Sequence, residues 1–308
     1  MALARRLQIG MWNGYMPDHW SAYGSPRING IEIAQFKDEA QIAEFTAFCE
    51  ANRLEFGIHT PLLKGQGYSL PSITSVVSDE RLLAFHRLEQ EASIASRCGA
   101  DYLLVHYPYP SVMPRRRSER HWAILPEFER YESDQMDAVM FRDVSRRAFE
   151  QVAVLQERYG QRIVLEYDFF GDLQDEWVRA FEEFPGIGMV LDFQRLDVHK
   201  RTFPGFEPEA FIEAVADRVY LAHYSNTRYE EGRLDRHLPV LPEQQDDPTY
   251  GDAYTYLKLL AQRNDKFHVL LEHNPAKVTR DELERCYESV AAVLALPAAP
   301  ASGPAPAR

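Results

Sequence analysis

Eight short apolar runs, separated by helix-like segments, constrain the fold of this chain more than any other feature. Buried parallel strands are continuous runs of this kind, rich in β-branched and aliphatic residues. The runs span residues 7–12, 30–36, 56–61, 102–108, 163–169, 189–193, 219–224 and 267–273. Amphipathic helical patterns lie between several of them, at 79–98, 136–159, 172–184 and 253–264.

Eight β/α units predict an α/β fold, a single (β/α)8 barrel with long βα loops. An open doubly wound sheet would normally have fewer strands and often a glycine-rich turn after the first. Here WNGYMPDHW follows the first run, with no GxGxxG motif. The pattern therefore favours the barrel over a Rossmann-like sheet.

The length and composition agree with one globular domain over residues 1–295. The chain has 308 residues, of which 45% are hydrophobic and 26% are charged, enough for a large core. Residues 296–308 read LPAAPASGPAPAR, and this Ala- and Pro-rich tail has too little apolar content to fold. We expect the tail to be disordered.

Charge and targeting signals limit the possible partners. The net charge of −13 disfavours a general polyanion-binding surface, so nucleic acid is not an expected partner. The N-terminus has no apolar signal region, and no stretch approaches the roughly 20 apolar residues of a membrane span. We therefore expect a cytoplasmic protein without a membrane partner, and a homo-oligomer is possible. Cys49, Cys98 and Cys286 lack metal-site spacing and are expected to be core thiols.

Two long loops interrupt the alternation of strands and helices. The loop at 108–135 combines prolines, aromatic residues and a cluster of four closely spaced arginines, Arg115, Arg116, Arg117 and Arg120. These arginines fit either a lid over an anionic substrate or a solvated basic turn, since long βα loops of barrels commonly carry function. A second long loop spans 227–252.

Each of the last four apolar runs ends in one side chain of a type that binds metals. These residues are Glu166, Asp192, His223 and Glu272. In a parallel barrel the carboxyl ends of the strands meet at one face, where catalytic groups gather. Three carboxylates and one imidazole suit a divalent ion such as Mn²⁺, Mg²⁺, Co²⁺ or Zn²⁺, and without a cation the carboxylates would repel one another. We predict a site for one ion here, with a second ion possible.

Histidines near other strand ends extend this pattern and carry a resemblance. His59 lies in GIHTP, His106 in LLVHYP, and Asp235 with His237 in LDRHLP. With LEYDFFG at 165–171, these motifs resemble the xylose-isomerase-like TIM-barrel superfamily over most of residues 7–295. That superfamily includes sugar isomerases and epimerases, dehydroshikimate dehydratases and the endonuclease IV (AP endonuclease family 2) branch. The resemblance implies that the four strand-end residues are the metal ligands.

The sequence departs from the endonuclease IV branch at two places. This chain resembles that branch in the motifs HTP, HYP and DRH. Proteins of the branch hold three zinc ions. One of their ligand histidines is replaced here by Arg195. HLPVLPEQ replaces the glycine-rich segment that follows their last histidine loop. Cleavage of abasic DNA is therefore less expected than sugar chemistry.

The resemblance implies a metal-dependent isomerase or epimerase of a small polyhydroxylated substrate. A bound ion can hold a carbonyl and the neighbouring hydroxyl and stabilise an enediolate. Glu166 and Glu272 would then move the proton, one as base and one as acid. Alternatives are an endonuclease IV-like phosphoesterase, a dehydroshikimate dehydratase-like lyase that uses a base near Asp168, and a non-catalytic sugar-binding barrel.

Six further residues are candidates for substrate contact. They are His59, His106, Asp168, Arg195, His237 and Trp12. His59 and His106 could instead bind a second ion, and His237 with Asp235 could be ordinary loop residues. Arg195 could pair with a substrate anion, with Asp197 or with a nearby glutamate. Asp168 follows Glu166 by two residues, so strand alternation directs both toward the same side. Tyr15, Trp20, Tyr107 and Tyr109 could join Trp12 in an apolar wall or could simply pack.

Overall fold

Eight parallel strands close into a barrel in the computed structural model. The structure describes residues 5–65, 70–113, 131–133, 136–203, 205–230 and 233–295. The barrel strands are β1 (Leu7–Met11), β2 (Gly30–Ile33), β3 (Glu55–His59), β4 (Tyr102–Tyr107), β7 (Ile163–Tyr167), β8 (Gly188–Asp192), β9 (Val219–Tyr224) and β12 (His268–Leu271). Their order around the barrel is β1-β12-β9-β8-β7-β4-β3-β2. All eight predicted strands are confirmed, and so is the fold class.

Helices cover the outside of the barrel. Within the described residues they are α1 (Pro17–Tyr23), α2 (Glu39–Asn52), α3 (Ser78–Cys98), α4 (Ala138–Tyr159), α5 (Gln174–Glu183), α6 (Phe193–Thr202), α7 (Pro208–Val215), α8 (Ala253–Arg263) and α9 (Arg280–Val293). Short 3₁₀ turns occupy Ala216–Arg218, Pro242–Gln244 and Pro275–Lys277. Local sequence explains several starts: the Asp38, Asp137 and Thr279 side chains accept from the first turns of α2, α4 and α9.

The barrel has two apolar cores. Tyr102, Leu104, Val164, Val190, Leu221 and Leu270 form the smaller cluster. The larger cluster packs the helices against the outer faces of the strands and contains residues such as Val105, Leu165 and Leu191, which alternate with the first set along the chain. Because strand side chains alternate with a period of two, the smaller cluster is the interior of the barrel.

Two small sheets stand beside the barrel. Strands β10 (Asn226–Glu230) and β11 (Arg233–Leu238) pair antiparallel, so the segment predicted only as the long loop 227–252 contains a β-hairpin. Strands β5 (Ser111–Met113) and β6 (Tyr131–Ser133) pair in parallel near the end of β4. Both sheets lie after strands whose carboxyl ends carry predicted site residues.

Several sequence predictions concern other parts of the molecule. Cys49, Cys98 and Cys286 are free thiols, as expected. No helix in the described part of the chain is long and apolar enough to cross a membrane. The predicted tail at 296–308 lies outside the described residues. So do Arg115, Arg116, Arg117 and Arg120 with most of the 108–135 loop.

Candidate metal centre

Strand alternation brings the predicted site residues to one end of the barrel. His106 and Glu166 each follow an interior residue, Leu104 or Val164, by two positions. Asp192, His223 and Glu272 follow the interior residues of β8, β9 and β12 in the same way. All five side chains therefore continue the interior of the barrel at the carboxyl ends of its strands. All but Glu272 are buried, and the Glu272 side chain is 12% exposed.

Two imidazoles, from His106 and from His59 at the end of β3, converge on Glu166 Oε2. His106 Nε2 lies 3.1 Å from this oxygen, and His59 Nε2 lies 3.4 Å from it. The two imidazole nitrogens are 3.2 Å apart. His59, His106 and Glu166 thus form a group that could hold a metal ion.

The outer nitrogen of each imidazole has a fixed acceptor. His59 Nδ1 lies 2.6 Å from the carbonyl oxygen of Thr60, and His106 Nδ1 lies 3.0 Å from Asp168 Oδ2. Since both partners accept, each Nδ1 carries the proton in the neutral ring, and each Nε2 lone pair faces Glu166. Metal-binding histidines commonly have this second hydrogen bond.

His223 has carboxylates on both sides of its ring. Its Nδ1 is 3.3 Å from Glu166 Oε1 and 3.6 Å from Glu272 Oε2, while its Nε2 is 3.3 Å from Glu32 Oε1. Glu166 Oε2, Glu272 Oε2 and both nitrogens of His223 are buried and lack an aligned hydrogen-bond partner within the described part of the protein. Buried oxygen and nitrogen atoms without a hydrogen-bond partner suit coordination of an ion, so these side chains also fit a bound metal.

Arg195 places a fixed positive charge beside this group. Its Nη1 lies 3.2 Å from Asp168 Oδ2, and its Nε lies 3.2 Å from Asp192 Oδ2 and 3.9 Å from Glu166 Oε1. Asp192 also caps α6, because its Oδ1 accepts from Arg195 N at 3.1 Å. Arg195 therefore forms ion pairs with neighbouring carboxylates. Asp197, which the sequence also offered as a partner, pairs with Arg201 at 2.9 Å.

The surroundings of the carboxylates shift their pKa values in different directions. Burial raises the pKa of Glu272 well above its usual range, and the charges of Asp192 and Glu166 raise it further, against the effect of His223. Burial acts in the same direction on Glu166, but His106 and His223 outweigh it and hold its pKa well below the usual range. Burial likewise raises the pKa of Asp192, although Arg195 opposes this effect. Glu272 is thus the carboxylate whose charge would gain most from an added cation.

His223 and Asp168 are held in their charged forms. Burial disfavours the imidazolium, yet Glu166, Glu32 and Glu272 raise the pKa of His223 well above its usual value. Burial also opposes ionisation of Asp168, but Arg195 and His106 lower its pKa. Asp168 Oδ1 accepts from Ser111 Oγ at 2.6 Å and from Phe169 N at 2.7 Å, so both of its oxygens are engaged.

Other predicted residues lie at the edge of the site or outside it. Trp12 packs edge-on against the His59 ring, with centroids 5.6 Å apart, and Tyr109 lies 6.2 Å from His106. Tyr15 and Trp20 pack on Phe48, and Tyr107 packs on Phe149 in the outer core. These last three residues are packing aromatics.

His237 and Asp235 do not form a pair. The His237 main-chain nitrogen donates to Gln194 Oε1 at 2.6 Å, and its Nδ1 lies 3.2 Å from the carbonyl oxygen of Glu272. Asp235 instead accepts from Lys277 Nζ at 2.5 Å. His237 therefore ties the β10–β11 hairpin to the end of β12, beside the site.

Three residues that support the site were not predicted from the sequence. Glu32 contacts His223, Ser111 holds Asp168, and Gln194 holds the hairpin. Only Glu32 had a clear signal, since it is a carboxylate inside the apolar run GIEI. Such a group in a buried strand needs a partner, but its partner, His223, is 191 positions away and cannot be inferred from spacing.

Structural comparisons agree with the barrel fold. A D-tagatose 3-epimerase-like protein superimposes with a TM-score of 0.63 at 14% identity, covering 94% of this chain and 97% of that one. Mannonate dehydratase from Streptococcus suis gives 0.61 at 13% identity and 94% coverage of both chains. A xylose isomerase-like TIM-barrel protein from Mycobacterium smegmatis in complex with magnesium gives 0.57 at 14% identity, covering 95% and 96%. At these identities the comparisons establish the fold alone.

The sequence comparison identifies the family. No curated protein matches the sequence. A profile of the xylose isomerase-like TIM barrel matches residues 22–289, which include every strand of the barrel except β1. The protein therefore belongs to the xylose isomerase-like TIM-barrel family.

Proposed function

We propose that this protein is a metal-dependent isomerase or epimerase of a small polyhydroxylated substrate. The observation that carries the proposal is the placement of two glutamates around one imidazole nitrogen. Glu166 and Glu272 come from strand ends on either side of β9, and their oxygens lie 3.3 and 3.6 Å from His223 Nδ1. A substrate bound at this point would have a carboxylate on each side.

The metal would be held by Glu166, Asp192, His223 and Glu272. A divalent ion bound there would draw a carbonyl oxygen and a neighbouring hydroxyl together and stabilise the negative charge that develops on them. Glu166 and Glu272 would transfer the proton, one removing it from the carbon that carries the hydroxyl, next to the carbonyl, and the other returning it. Arg195, His59 and His106 would orient the substrate oxygens, with Trp12 as the apolar side of the pocket.

Asp168 fits a positioning role better than that of a base. Both of its oxygens are occupied by Ser111, Phe169 N, His106 and Arg195. A base must have an oxygen available for the proton that it removes. This engagement favours isomerase or epimerase chemistry over a lyase that uses Asp168.

The proposal is tested by proton exchange with solvent. Protein loaded with Mn²⁺ or Co²⁺ is incubated in D₂O with a panel of ketoses and aldoses, and deuterium at the carbon next to the carbonyl is followed by mass spectrometry. Glu166→Gln and Glu272→Gln should each reduce exchange at least 100-fold, since general acid–base groups contribute roughly 10²–10⁴. Glu150→Gln is the control, because Glu150 is an exposed partner of Arg146 on α4. Activity within a few fold of wild type in either site variant would refute the mechanism.

A second candidate is a phosphoester hydrolase with two ions. It is favoured by the convergence of His59, His106 and Glu166, which gives a second set of donors that shares Glu166 with the first. Two ions a few ångströms apart are typical of phosphoester cleavage. Two bound ions per chain, together with nicking of an abasic duplex that is lost in His106→Ala, would support this candidate. One ion and no nicking would exclude it.

A further inference from the structure

We infer that Glu32 is a positioning residue that sets the orientation of His223 toward the bound metal. The inference rests on the metal site of the proposed function. It concerns a side chain that lies one layer deeper in the barrel than the proposed ligands and reaches neither substrate nor metal.

Glu32 is the middle of a polar chain through the barrel interior. Its Oε1 lies 3.3 Å from His223 Nε2, and its Oε2 accepts from the Tyr102 hydroxyl at 2.6 Å. Gln8 Nε2 in turn donates to the Tyr102 oxygen at 2.8 Å. The chain thus joins β1, β4 and β2 to the strand that carries His223.

The burial of this chain makes its contacts costly to lose. Glu32, Gln8 and Tyr102 are all 0% exposed, so no water at the surface can replace a missing partner. A buried carboxylate requires hydrogen bonds or an opposite charge. The structure supplies one of each, the Tyr102 hydroxyl and the His223 imidazole.

The chemistry of Glu32 determines what it does to the ring. An ionised carboxylate only accepts, so the nitrogen facing Glu32 carries a proton. With Nε2 protonated, Nδ1 is the nitrogen that would release its proton and give its lone pair to an ion between Glu166 and Glu272. A carboxylate that accepts from the outer nitrogen of a metal-binding histidine fixes the orientation of the ring and raises the basicity of the nitrogen that binds the metal.

Gly57 makes room for the chain. A Cβ at this position would lie 2.0 Å from the Tyr102 ring, so the ring occupies the space that a side chain on β3 would take. Tyr102 is therefore held against Glu32 by packing as well as by its hydroxyl.

The test measures metal affinity and coordination, independently of turnover. Co²⁺ binding to wild type, Glu32→Gln and Tyr102→Phe is measured by competition with a chelator, and the visible absorption of bound Co²⁺ reports the ligand geometry. Glu32→Gln should weaken binding 10- to 100-fold and change the spectrum, as loss of second-sphere partners typically does. Tyr102→Phe should weaken it about threefold to tenfold, since it removes a hydrogen bond to Glu32, one step further from the ion.

A double-variant cycle establishes that Glu32 acts through His223. In a His223→Ala background, Glu32→Gln should cost less than threefold, because the residue on which it acts is gone. Glu176→Gln is the matched control: it removes the charge of another buried glutamate, which pairs with Arg142 and Arg179 away from the site. Its Co²⁺ affinity should equal that of wild type.

Each outcome separates this inference from the proposed function. Unchanged Co²⁺ affinity in Glu32→Gln, or an equal loss with and without His223, would overturn the role of Glu32. If Glu32→Gln does not fold, unchanged affinity in Tyr102→Phe overturns it instead. Wild-type protein that binds Co²⁺ but exchanges no sugar proton refutes the proposed reaction and leaves the inference standing. Wild-type protein without Co²⁺ affinity refutes both.

Discussion

Replacement of Arg195 by methionine should strongly destabilise the ion-free protein. The guanidinium is 11% exposed and lies 3.2 Å from both Asp168 and Asp192. At 3.2 Å and an effective dielectric constant of about 20, each contact has a Coulomb energy of about 5 kcal/mol, most of which offsets the desolvation of the charges. Removing one partner of a buried ion pair typically costs about 3–5 kcal/mol, because the remaining charge stays buried.

The loss of unfolding free energy can be measured as a fall in Tm, by thermal unfolding followed with circular dichroism. At about 2.1 cal/mol/K per residue, unfolding of the 308-residue chain has an entropy near 0.65 kcal/mol/K. A loss of about 3–5 kcal/mol therefore lowers Tm by about 5–8 °C. Excess Mn²⁺ should restore more of Tm in Arg195→Met than it adds to wild type, because the ion can take over the charge balance of Asp168 and Asp192.

A matched arginine on the surface provides the control. Arg146 is 53% exposed and pairs with Asp143 and Glu150 along α4. Arg146→Met should cost no more than about 1 kcal/mol, since exposed pairs contribute little. If Arg195→Met lowers Tm no more than Arg146→Met does, the guanidinium does not balance the buried carboxylates and the reasoning is wrong.

The remaining predictions concern packing, pH and capping. Gly57→Ala forces a Cβ to within 2.0 Å of the Tyr102 ring, so urea denaturation should show a loss of at least ~2 kcal/mol; a smaller loss means that Tyr102 can move freely. Burial lowers the pKa of His199 to about 3, so the stability it contributes is present above pH 6.5 and is lost as pH falls from 6.5 toward 3. His199→Gln should remove a slope of about 1.4 kcal/mol per pH unit between pH 6 and 4 in urea titrations, and an unchanged slope contradicts this assignment. Thr279→Ala removes the N-cap of α9 and should cost about 1 kcal/mol in the same assay, while no change would mean that the capping box adds nothing.

His199 illustrates why some buried groups escape sequence reasoning. Its Nδ1 accepts from the Tyr167 hydroxyl, and its Nε2 donates to the carbonyl oxygen of Gly171 at 3.1 Å. The ring also stacks on Phe206, with centroids 4.0 Å apart. The sequence does not show that His199 is buried and hydrogen-bonded, because none of these partners is a neighbour along the helix that carries it.

The sequence by itself determined the barrel and the end of it that carries the chemistry. Apolar runs of strand length can be recognised locally, and eight of them in β/α alternation have few other solutions. The period of two then directs Glu166, Asp192, His223 and Glu272 to one face, without knowledge of any distance. These residues lie together because β7, β8, β9 and β12 are consecutive neighbours in the barrel.

The tertiary structure alone decided the partners within that face. Arg195 could have met a substrate, Asp197 or a glutamate, and the position of α6 directs it to Asp168 and Asp192. Glu32 meets His223 because β2 and β9 face each other across the interior of a closed barrel. Local patterns determine which side of a strand a residue occupies, whereas contacts across a barrel depend on closure and register, which distant parts of the chain set together.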